Sequence, residues 1–75
     1  MKLSIPVHGK DYIGCGKTIK EAVWRLIGVL ERAETKSPFA VRGYDSCFRS
    51  AVNYLYDHYK KEVDEAVEEA QYGAI

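Results

Sequence analysis

From Ile19 the apolar residues Ala22, Val23, Leu26, Ile27, Leu30 and Ala33 recur at steps of three and four, while Lys20, Glu21, Arg25, Glu31 and Arg32 occupy the rest of the turn. That is the pattern of a helix with one packed face and one wet face. Thr18-Ile19-Lys20-Glu21 places a hydroxyl and a carboxylate three residues apart at its start, the arrangement of a capping box. Gly28 falls on the polar side, where a helix interior loses about 1 kcal/mol relative to alanine, so either a close neighbour or a slight bend is expected there. A second stripe, Phe48, Val52, Leu55, Tyr59, Val63, Ala66 and Ala70, has steps close to the period of a straight helix. It predicts one long helix from an Asp45 N-cap to about Tyr72, ended by Gly73.

Before the first helix, residues 2–7 alternate polar and apolar as a half-buried strand does, and Pro6 confines that strand to an edge or an end. His8-Gly9-Lys10 turns the chain, and Tyr12-Ile13 form a short return strand that Gly14 and Gly16 interrupt. Between the helices, Ser37-Pro38 and Gly43 break the periodicity, leaving Phe39-Ala40-Val41 as a third short strand or a loop anchored by Phe39. The fold class read from this is α+β, predominantly α: a short N-terminal β-hairpin followed by two helices. At about 27 residues the second helix spans roughly 40 Å against about 24 Å for the first. It therefore overhangs, and Val63, Ala66, Val67 and Ala70 lack a partner within one chain, which points to a homodimer through the C-terminal helix or to a bound target.

Seventy-five residues make one small domain that buries only roughly 60% of its unfolded surface, too little to enclose a deep catalytic cleft. No apolar run approaches a membrane span and the first residues lack the pattern of a signal peptide, so a cytoplasmic location is expected. Cys15 and Cys47 are too few for a disulfide framework and are expected as reduced, buried or partly buried thiols. The net charge is zero, but residues 1–49 hold nine Lys/Arg against five Asp/Glu, whereas residues 50–75 hold two against six. That dipole is not the profile of a uniformly basic nucleic-acid binder.

Gly14-Cys15-Gly16-Lys17-Thr18 is similar to the second half of a phosphate-binding P-loop. The pattern needs a glycine at position 11, where Asp11 would oppose phosphate, and the chain has no room for the supporting parallel sheet. A glycine turn feeding a capped helix accounts for the segment. His8 with Cys15, and Cys47 with His58, match no zinc-finger spacing, and the latter pair stands about 16 Å apart along one helix. No catalytic residue, cofactor or metal is expected.

Binding is the remaining class. Tyr54 falls about 120° from the core stripe, Tyr56 and Tyr59 on or beside it, and Trp24 at the edge of the first helix's apolar face. Glu62, Asp64, Glu65, Glu68 and Glu69 crowd the end of a helix whose dipole is already negative, so stability does not explain them. The leading expectation is a non-enzymatic protein-binding module that covers a basic surface with Trp24, Tyr54, Asp57, Asp64, Glu65, Glu68 and Glu69. In size and character it resembles the small phage-encoded inhibitors of host defence, such as anti-CRISPR and anti-restriction proteins, a likeness that rests on no motif. The alternatives are a nucleic-acid-binding regulator using Lys17, Lys20, Arg25, Arg32, Lys36, Arg42 and Arg49, or a structural homodimer. Against the regulator, the link between the helices is far longer than that of a helix-turn-helix and the acidic tail repels phosphate.

Overall fold

Alternation of polar and apolar residues at the start of the chain produces two antiparallel strands, β1 (Lys2–Val7) and β2 (Lys10–Cys15), in a computed structural model that describes residues 1–73, with side chains through residue 71. Their register pairs Leu3 with Gly14, Ile5 with Tyr12 and Val7 with Lys10. The two-residue turn, His8-Gly9, has positive φ at both positions (52° and 76°), which suits the right-handed twist of a hairpin. β2 runs through Gly14 to Cys15, further than its glycines suggest, because Gly14 is where the sheet meets the first helix.

That helix, α1 (Ile19–Lys36), buries Ala22, Val23, Leu26, Ile27 and Leu30, as its periodicity requires. Thr18 caps it by accepting from the Glu21 N–H at 3.2 Å. The reciprocal arm of the expected capping box is replaced by a salt bridge from Glu21 to Arg25 at 2.7 Å. A Cβ on Gly14 would stand 2.5 Å from both the Ala22 carbonyl oxygen and the Leu26 Cβ, and one on Gly16 would stand 2.8 Å from the Ala22 backbone nitrogen. These glycines let the hairpin lie directly on α1, so their role is packing. Gly28 meets only the far end of Arg32 at 3.5 Å, so no close neighbour requires it.

The long second helix is divided. α2 (Ser46–His58) ends at Tyr59, whose φ/ψ of −118°/39° leaves the helical region, and α3 (Lys60–Gly73) follows at once. Neither proline nor glycine marks the break, and the apolar stripe passes through it unchanged. Tertiary packing supplies the reason: a change of direction at Tyr59 brings α3 back against α1. Val63 and Ala66 are then 4% and 8% exposed. The overhang expected of a straight helix is absent among the described residues, because α3 packs along α1 and gives Val63 and Ala66 partners within the chain. Val67 and Ala70 stay exposed.

The core joins Val7 of the hairpin to the α1 stripe, to Phe48, Ala51, Val52 and Leu55 of α2, and to Val63 of α3, with Tyr59 packed at its edge. No helix among the described residues is long and apolar enough to cross a membrane. Two glycine substitutions should separate packing from propensity. Gly14→Ala forces backbone apart and should cost about 3 kcal/mol, whereas Gly28→Ala should stabilise by up to about 1 kcal/mol. Urea unfolding followed by circular dichroism measures both.

Candidate functional site

The helix break decides which of the expected binding residues meet. Trp24 sits on the outer edge of α1 with 41% of its surface exposed. Where α3 comes alongside, Trp24, Lys20, Ala66, Glu69 and Ala70 line one open groove of about 490 Å³. Trp24 also borders the neighbouring grooves lined by Gly28 and Arg32, so its ring is reachable from several directions. Glu69 forms an exposed salt bridge with Lys20, which holds the lysine above its ordinary pKa. Asp64 pairs loosely with Lys60 at 3.6 Å. Glu65 and Glu68 are exposed and enter no ion pair among the described residues; with Asp64 they line a separate open groove beside Lys60 and Lys61, and Glu65 adds to the field that raises Lys20.

Tyr54 and Asp57 are exposed on α2, as expected, but line none of the Trp24 grooves; Tyr54 stacks on His58 at 5.3 Å with an interplanar angle of 10°. Tyr56, placed on or beside the core by its periodicity, is exposed. A surface the periodicity did not single out is the linker between α1 and α2. Phe39, Val41 and Tyr44 are all exposed around a tight turn at Arg42-Gly43, closed by the Val41–Tyr44 bridge. Phe39 is 64% exposed and rests against the His8 ring at 4.5 Å, so it anchors the loop only lightly. The third strand is reduced to that single bridge.

Carboxylates of the same chain engage part of the basic set. Lys20 is held by Glu69, Arg25 by Glu21 and by the Cys15 carbonyl, and Arg49 by Glu34, which leaves Lys17, Arg32, Lys36 and Arg42 of that set without an ion pair among the described residues.

Beneath the linker lies a polar node that the pattern of the chain did not reveal. Asp45 caps α2 through the Cys47 N–H at 2.9 Å. Its other carboxylate oxygen accepts from Ser37 and faces the His8 Nε2, each at 2.9 Å. Its backbone N–H donates to Glu34, and Glu34 in turn receives the Arg49 guanidinium, with Nε–O distances of 2.9 and 3.1 Å. Burial raises the Asp45 pKa, but the hydrogen bonds from His8, Ser37 and the Cys47 N–H outweigh it and leave the carboxyl below its ordinary range. Glu34 is lowered chiefly by its hydrogen bond from Arg49, then by the Asp45 N–H.

The same node corrects the reading of the cysteines and histidines. Cys15 and Cys47 are both exposed, not buried. His8 does not face Cys15, nor Cys47 His58; the hairpin turn instead brings His8 to the start of α2. One ligating atom from each of His8, Asp45 and Cys47 lies within 4.8 Å of the others. A separation of 39 residues in sequence concealed that group.

Comparison with known protein families, with characterised proteins and with solved structures found no match to this chain.

The Glu34–Arg49 pair gives a pH signature. The folded-state pKa of Glu34 lies below its ordinary 4.5, so its contribution is complete above that value and is lost as pH falls through the folded-state value. Arg49 is 36% exposed at its side chain, and solvent screening reduces the ion pair to about 1 kcal/mol. Glu34→Gln should lower the neutral-pH melting temperature by roughly 5 °C and should flatten the acid side of the Tm–pH curve. Calorimetry across that range tests both.

Proposed function

We propose that this chain is a non-enzymatic protein-binding module that meets a basic surface of its partner with Trp24 and the acidic face of α3. The observation that carries the reading is the shared groove in which the exposed Trp24 ring lies beside Glu69 and Ala70. An aromatic anchor next to carboxylates combines the two contributions an interface needs. The ring supplies desolvated contact area that governs dissociation, and the unpaired Glu65 and Glu68 supply the field that steers a basic partner inward. Their position near a helix C-terminus, where acids lower helix stability, fits a role outside the fold. A partner whose own basic surface binds nucleic acid would suit this face, and covering that surface would make the module an inhibitor.

The nucleic-acid-binding alternative has less behind it, since three of its basic residues are engaged by carboxylates of the same chain. The two readings separate on variants. A partner captured from source-cell extract and then purified should bind the Glu65→Lys/Glu68→Lys chain with an on-rate about tenfold lower and a flatter salt dependence. Trp24→Ala should leave the on-rate near wild type and raise dissociation about tenfold. Undiminished binding by both variants would remove this face from consideration, and sub-micromolar binding of duplex DNA near physiological salt would favour the basic surface instead.

A further inference from the structure

We infer that His8, Asp45 and Cys47 form a divalent metal site of the zinc class, with a fourth coordination position open to solvent. The inference goes beyond the protein-binding reading and does not depend on it. Three features of the group carry it.

The donor set is one imidazole nitrogen, one carboxylate oxygen and one sulfur, the ligand types that zinc accepts together. As aspartate and thiolate, two of the three are anions that balance a dication, and they also offset the unfavourable effect of a helix N-terminus on a cation. The geometry is close to what a small tetrahedral ion requires. Metal–ligand bonds of about 2.0–2.3 Å place neighbouring ligands roughly 3.3–3.6 Å apart. The His8 Nε2 and Asp45 Oδ2 are 2.9 Å apart, and the Cys47 Sγ belongs to a set that spans no more than 4.8 Å. An ion entering between them replaces the proton shared by imidazole and carboxylate, widens that contact by a few tenths of an ångström and draws in the sulfur of an exposed side chain.

Finally, the ligands are held from behind. Ser37 donates to the Asp45 Oδ2 and the Cys47 N–H to its Oδ1, which fixes the carboxylate plane. The His8 ring is held between Phe39 at 4.5 Å and the edge of Phe48 at 5.7 Å. His8 also adopts a left-handed backbone conformation, φ 52°, that places this ring at the hairpin tip over the start of α2. His8 and Cys47 are exposed, so the fourth position faces water and the ion has a direct entry path.

Cobalt(II) titration of the reduced full-length chain tests the assignment, because tetrahedral cobalt–thiolate centres show intense visible bands and a near-ultraviolet charge-transfer band. The expected result is saturation at one equivalent, with both signals abolished by added zinc. Cys47→Ser should lose the charge-transfer band, while Cys15→Ser keeps it. His8→Asn, chosen because asparagine tolerates the left-handed conformation, should bind at least tenfold more weakly, with circular dichroism confirming that it remains folded. Absence of a thiolate band in the wild type, retention of the band in Cys47→Ser, or unchanged affinity in a folded His8→Asn chain would each overturn the site.

Discussion

Asp45 ties the hairpin tip, the end of α1 and the start of α2 together through one side chain. Its carboxylate holds the first turn of α2, the imidazole at the hairpin tip and the hydroxyl of Ser37 at the end of α1, while its N–H engages Glu34. A carboxylate under the linker is costly unless its lone pairs are used, and here both oxygens have partners. The linker between α1 and α2 is fixed by this polar residue and not by its own apolar side chains, since Phe39, Val41 and Tyr44 remain largely exposed. The imidazole and thiol gathered at the same point are a consequence of that arrangement.

Around this node the apolar framework is organised by α1. Its fully buried stripe accepts the hairpin on one side, where Gly14 removes the side chain that would keep the sheet away. α2 and α3 cover other parts of the stripe, and they reach it only because the helical path turns at Tyr59. In a chain this small, burying Val63 and Ala66 outweighs the break in a continuous hydrogen-bond ladder. The turn also creates the Trp24 groove, so folding and the proposed interface share one cause.

Local rules account for much of this. The α1 stripe, the Thr18 and Asp45 caps, the β1 alternation and the exposure of Trp24 and Tyr54 were all legible from spacing. The division at Tyr59 was not, because the stripe keeps its period through the break and no glycine or proline announces it; only the position of α1 in space does. Glu34 and Asp45 were obscured in a similar way. One reads as a residue at the end of a helix and the other as an ordinary cap, and their burial emerges only when the linker folds over them. Pairwise spacing likewise directed attention to His8 with Cys15 and to Cys47 with His58, whereas the tertiary fold joins His8 to Cys47.

The dependence of the whole arrangement on the His8–Asp45 contact is open to direct measurement through a double-mutant cycle. His8→Asn, Asp45→Asn and the double variant would be compared with the wild type by urea unfolding near neutral pH. If Asp45 is the junction of hairpin, linker and α2, the losses are strongly non-additive, and the double variant is little less stable than the worse single one. Losses that simply add would show that hairpin and helix are held independently, contradicting the central role assigned to Asp45.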